Sequence, residues 1–159
     1  MTTFLDEREI EIDGDHMQDF KLTENFWLSE FRVHWPREVP KHDRFPILHP
    51  DVRLATRFAR YLELIRRQFG RPLTITDCMR PTWVLRYIPG AAKNSRHMTE
   101  YLEKGVMAVD YRMKGVGMKA LADATEDLMD TKQIPDGGLG RYNNHCHYNN
   151  RRNRVRWSA

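Results

Sequence analysis

Gly105-Val106-Met107-Ala108-Val109-Asp110-Tyr111 is the stretch from which the rest of the chain is read. Four apolar residues run unbroken from Val106 to Val109, which suits a short buried strand, and the strand closes on an acid. A carboxylate at the end of a buried strand costs free energy unless it is paired or bound to a metal. Asp110 is therefore either a capping or salt-bridging aspartate or a ligand. Upstream, Leu73-Thr74-Ile75-Thr76 is a second short strand, leading into a turn at Asp77–Pro81. A helix precedes it over roughly Asp51–Phe69, where Ala55, Phe58, Leu62, Ile65 and Phe69 recur at steps of three and four. Gly70 and Pro72 stop that helix. Downstream, Gly117–Met129 is a second helix with Met118, Leu121, Thr125 and Leu128 on one side. Loose alternation of helices and strands with short turns predicts an α+β domain, a small antiparallel sheet packed against helices.

The flanks read less regularly. Residues 1–20 are acidic and weakly patterned, an extended arm or short edge strand ahead of a single domain at 21–159. Thr23, followed by Phe26, Trp27, Leu28 and Phe31, predicts a short N-capped helix with an aromatic face. Four prolines between Trp35 and Pro50 exclude regular structure there, Tyr87–Asn94 reads as loop, and Asn143–Asn150 is a polar stretch. At 159 residues and 40% hydrophobic, the chain is long and apolar enough for a real core, which excludes wholesale disorder. No apolar run approaches the ~18 residues of a membrane span, so no membrane partner is expected. Two cysteines, Cys78 and Cys146, make no disulfide scaffold and suit a reducing compartment. The start shows no secretory signal, so synthesis in the cytoplasm is expected. The net charge of +4 sits entirely in Arg151, Arg152, Arg154 and Arg156, while the first thirty residues carry nine acids against Arg8 and Lys21. Such a two-ended chain is not a basic protein, and nucleic acid is not expected as a partner.

Chemistry concentrates in a few places. His145 and His147 are two apart, so on a strand both imidazoles project from one face, a recurrent way to offer nitrogen ligands to one zinc ion. His97 follows a loop in Asn94-Ser95-Arg96-His97. Arg80, after the first strand in Asp77-Cys78-Met79-Arg80-Pro81, either clamps a substrate carboxylate with its planar fork or makes a structural ion pair with Asp77.

The order of these pieces resembles the zinc D-Ala-D-Ala carboxypeptidase-like peptidases, a fold shared with phage endolysin peptidases and the hedgehog signalling domain. The matching stretches are Lys21–Phe31, Leu62–Arg66, Gly70–Pro81, Asn94–Thr99, Gly105–Asp110, Gly138–Tyr142, His147 and Arg156-Trp157. The resemblance implies one Zn²⁺ per chain held by His97, Asp110 and His147, polarising an amide carbonyl and lowering the pKa of its water. Arg80 matches the family arginine that steadies the substrate carboxylate or the developing oxyanion, and Ser95 a residue beside the metal that contacts substrate. The implied substrates are peptidoglycan stem peptides ending in D-amino acids, cut by a phage-encoded endolysin or virion-associated enzyme after lysis or from the particle.

Three departures bear on activity. Twelve residues separate His97 from Asp110 where relatives usually have six, and Glu100–Lys104 reads as an insertion. Asn149 stands where relatives often carry an aspartate that supports the last ligand. Asn144 stands where they often carry a glutamate base. His145 is the candidate catalytic base or a fourth ligand, with Glu100 and Glu103 as alternatives. The contrasting reading is a catalytically silent virion assembly protein, partnered by other virion proteins, that keeps the fold.

Overall fold

The computed structural model describes residues 6–12, 14–44 and 49–159. Residues 1–5 and 13 of the acidic arm, and 45–48 of the proline-rich stretch, lie outside that set. Two helices, α1 (Val52–Phe69) and α2 (Met118–Asp130), carry the predicted apolar stripes. Asp51 caps α1 by accepting from the Arg53 and Leu54 N–H groups, and Gly70 ends it at φ 61°, a left-handed turn that glycine takes at no steric cost. Ala55, Phe58, Leu62 and Ile65 are fully buried, and so are Leu121 and Thr125 of α2.

These faces pack on a five-stranded sheet of order β3-β4-β6-β5-β7: β3 (Leu73–Asp77), β4 (Ala108–Met113), β5 (Gly138–Arg141), β6 (Cys146–Asn149) and β7 (Val155–Ser158). The architecture is α+β, as read. Pairing is antiparallel from β3 through β5, and β7 adds in parallel to β5, so the sheet is mixed at one edge. Arg154 and Arg156 of the basic tail reach across to α2, where they pair with Glu126 and Asp130. The tail is thereby packed as a strand.

The sheet register positions the site. Asp110 of β4 lies opposite His147 of β6, His147 opposite Gly140 of β5, and Gly140 opposite Trp157 of β7, a single row across four strands. Directly opposed side chains on one face stand about 4.5–5.5 Å apart at Cβ, which brings the aspartate and the imidazole together. Gly140 leaves room for the indole: a Cβ there would sit 2.4 Å from the Trp157 ring. His97 reaches the row from outside the sheet. Its carbonyl accepts from Arg80 N at 2.7 Å, and the following residues bridge to the segment after β3.

Two local expectations change. Thr23 caps no helix, because its hydroxyl and the Asn25 N–H both bond the buried Glu63 carboxylate at 2.8 Å. Helical geometry begins only at Leu28, in a 3-10 turn over Leu28–Phe31 whose first N–H partner is the Glu30 side chain. Thr82–Tyr87 and Thr99–Lys104, the latter holding the segment Glu100–Lys104 read as an insertion, are likewise 3-10 turns. Within the first twenty residues, β1 (Glu7–Ile12) and β2 (Asp15–Phe20) form a hairpin. It is joined to the body through buried Asp19, which accepts from Ser29 N and Oγ at 2.8 Å.

Candidate metal centre

At the row's end, His97 Nε2 lies 3.0 Å from His147 Nδ1 and 3.1 Å from Asp110 Oδ1, and His147 Nδ1 lies 2.8 Å from the same oxygen. Donors held about 2.0–2.1 Å from a tetrahedral zinc stand roughly 3.3 Å apart, so a small opening of the three would admit an ion. Among the described residues this is the one group of three metal-ligating side chains whose donor atoms converge. It forms part of a cleft of about 480 Å³ that also takes in Arg80, Ser95 and His145. The three candidate ligands and Arg80, Ser95 and His145 thus face one space.

Both imidazoles are oriented by a neighbour. The Cys78 carbonyl, 2.7 Å from His97 Nδ1, fixes the proton on that nitrogen and turns the Nε2 lone pair toward the cluster. Asn149 Nδ2 donates to His147 Nε2 at 2.8 Å, which leaves the ring proton on Nδ1, shared with Asp110. His147 Nδ1 acts as a ligand only with that proton moved to Nε2. The N–H so created needs an acceptor, which the Asn149 amide offers only by turning its Oδ1 toward the ring. As placed, that oxygen accepts from Arg151 Nε at 2.7 Å and from the Gly138 and Arg151 backbone N–H groups at 3.3 Å.

Electrostatics follow from this packing. Burial acts to raise the Asp110 carboxyl pKa, but the hydrogen bonds and charges of His147 and His97 outweigh it and hold the group far below the ordinary carboxylate range. Burial acts to lower His97; the Asp110 carboxylate, helped by Asp77, reverses the sign, and the net shift is upward. His147 goes down, through burial and the neighbouring His97 charge, against the pull of Asp110. The two imidazoles are thus shifted in opposite directions.

The flanking residues differ in their freedom. Arg80 Nη2 is 2.8 Å from Asp77 Oδ2, the ion pair considered as one of its two roles. Ser95 Oγ accepts from His97 N at 3.3 Å. His145 stacks on Tyr142 with ring centres 4.4 Å apart, and its Nε2 lies 3.5 Å from Asp110 Oδ2. With its Nδ1 donating to Asn144 Oδ1 at 2.7 Å, His145 Nε2 is left as an acceptor. Glu100 and Glu103 are exposed on the Thr99–Lys104 turn and do not line the cleft.

A profile of the peptidase M15 family matches residues 24–149. The chain belongs to that family. No curated protein and no solved structure shows a significant match. Membership and the His-Asp-His cluster together make this a metallopeptidase of the zinc D-Ala-D-Ala carboxypeptidase-like kind. Within this M15 peptidase, Arg96, Arg151, Tyr142 and Trp157 also line the cleft, and no role was read for them from sequence. The signal for Arg151 was present: His145, His147, Asn149 and Arg151 recur with the strand period of two. Trp157 entered only through the resemblance at Arg156-Trp157, because its place on His147, ring centres 5.1 Å apart, depends on the parallel pairing of β7.

Proposed function

We propose that the chain is a zinc-dependent peptidase hydrolysing D-amino-acid-containing bonds of bacterial peptidoglycan stem peptides, encoded by a phage and acting as an endolysin or from the virion. The observation that carries this reading is the convergence of His97 Nε2, Asp110 Oδ1 and His147 Nδ1 in a cleft open to a peptide. A zinc ion there supplies a Lewis acid for the scissile carbonyl and an acidified water. The chain's own residues do the rest. His145 Nε2 takes and returns the proton, while Tyr142 and Asn144 hold its ring. Arg80, steadied by Asp77, places its remaining guanidinium donors against the substrate carboxylate or developing oxyanion, and Ser95 borders the bound peptide.

Elemental analysis of the purified protein should find close to one zinc per chain, lost in His147→Ala. Mass spectrometry of digested muropeptides should show stem-peptide cleavage that vanishes with His97→Ala. Full hydrolysis by that variant would overturn the reading. A second reading, a silent assembly protein, draws on the cleft's having Asp110 as its one carboxylate. Zinc-loaded protein that self-assembles and leaves every muropeptide intact would favour it.

A further inference from the structure

Three arginines line the cleft, and they are not equivalent. Arg80 is already matched by Asp77. Arg96 and Arg151 have no carboxylate within ion-pair distance among the described residues, and each lies over an aromatic ring instead. The Arg96 guanidinium carbon is 4.2 Å from the centre of the Tyr101 ring, and that of Arg151 is 5.6 Å from the Trp157 ring. Arg151 is also oriented by Asn149 Oδ1, a neutral acceptor that aims the guanidinium without cancelling its charge. Both guanidinium groups line the same cleft, and burial, with the charge of Arg96 after it, presses the Arg151 pKa downward. Like charges held together in part-buried surroundings are relieved by an anion placed between them.

We propose that Arg96 and Arg151 form a carboxylate-binding subsite beside the metal centre, which selects peptides carrying a free terminal or side-chain carboxylate. The planar fork of arginine suits that group. The proposal deepens the peptidase reading and rests on its view that the cleft receives a peptide. It also gives the insertion a purpose. Tyr101, the ring under Arg96, belongs to the inserted 3-10 turn. Asn150 ties the chain beyond that turn to the end of β6, donating to Gly105 O and accepting from Met107 N, both at 2.9 Å.

The test follows arginine Nε–Hε resonances of ¹⁵N-labelled protein, with and without zinc. The added probes are acetyl-D-Ala-D-Ala, its C-terminal amide, and acetyl-D-Glu-D-Ala amide. Arg96→Gln and Arg151→Gln assign the two signals; Arg→Lys substitutions assign them equally well should the first pair fail to fold. Both resonances should shift saturably with at least one carboxylate peptide and stay unmoved with acetyl-D-Ala-D-Ala amide. Each Gln substitution should weaken the binding by about fivefold or more. Which carboxylate peptide binds identifies a terminal or a side-chain carboxylate as the ligand. Unmoved arginines with both acids, or equal shifts with acetyl-D-Ala-D-Ala amide, would overturn the proposal. Shifting arginines with uncleaved muropeptides would remove the hydrolysis and leave the subsite; hydrolysis with unmoved arginines would do the reverse.

Discussion

Asp19 and Glu63, at the N-terminal side of the domain, are more deeply buried than Asp110 in the cleft, and their surroundings differ in kind. Asp19 accepts from Ser29 N, Ser29 Oγ, Phe20 N and Arg8 Nε at 2.8 to 3.0 Å. Glu63 accepts from the Thr23 hydroxyl, the Asn25 N–H and the Asn25 amide. These donors hold their protons at every ordinary pH, so both carboxylates are permanently satisfied and fasten one segment to another. Asp110 instead meets the ring nitrogens of His97, His147 and His145, groups that can exchange a proton for a metal. The number of contacts does not separate a structural carboxylate from a candidate ligand here. The nature of the partners does.

The largest effect that follows is at Asp110. Asp110→Asn keeps the shape but removes the anionic ligand, and peptide hydrolysis should fall by about 1,000-fold or more. Circular dichroism should show the fold intact. An unfolded variant would break the contrast, by making Asp110 a fastener like the other two. Asp19→Ala should behave in the opposite way. It leaves buried Ser29 donors and the Arg8 charge without their partner, at about 3 kcal/mol in denaturant unfolding, with zinc affinity unchanged. Loss of zinc binding in a folded Asp19→Ala protein would count against the separation.

The two kinds of carboxylate were unequally legible in sequence. Asp110 announces itself because an acid closing an apolar run is locally anomalous, and His147 because two histidines share a strand period. His97 enters through the family resemblance alone, since its approach depends on the backbone bridge between Arg80 and Met98, a non-local contact. Glu63 gives no signal: it is an ordinary helix residue until Thr23 and Asn25, about forty positions away, arrive beside it. The same contact defeats the helix read at Thr23. Helix spans came out nearly right because periodicity is local. The parallel placement of β7 did not, because four residues in an arginine-rich tail carry no pairing pattern.

Asn149→Asp sharpens the contrast from the ligand side. A carboxylate there accepts from His147 Nε2–H and from Arg151 together, without turning over, and zinc affinity measured by competitive chelation should rise about tenfold. The added charge also neutralises Arg151, so the same variant should bind carboxylate peptides more weakly. Unchanged zinc affinity would mean that Asn149 already supports His147 fully.

Protonation separates the regions next. His97 has a folded-state pKa above the ordinary 6.5, so its contribution to stability is complete below that pH and is lost as pH rises through the folded value. His147 lies below 6.5, so its contribution is complete above that pH and is lost as pH falls through its folded value. The depressed Asp110 contributes above its ordinary 3.8, outside this window. Metal-stripped protein should therefore be most heat-stable near pH 6.5, with Tm falling by about 2–4 °C on either side for each kcal/mol involved. A monotonic profile across this range would contradict the opposed shifts. Replacing His97 and His147 together by Gln should flatten the curve, whereas Glu63→Gln should leave its position unchanged.

The smallest effect tests whether the structural carboxylates are saturated. Thr23→Val removes one donor to Glu63 Oε1 while the Asn25 N–H, 2.8 Å away, and its amide remain. Since the anion keeps most of its partners and the valine is close to isosteric, the loss should be about 0.5–1 kcal/mol, the net value of one hydrogen bond. Urea unfolding monitored by tryptophan fluorescence resolves that difference. A loss several times larger would show that Thr23 holds the segment before the Leu28–Phe31 turn by itself, and that Glu63 is closer to a single-partner site than to a redundant fastener. Zinc content should be the same in the variant and the parent, because nothing in this contact reaches the row from Asp110 to Trp157.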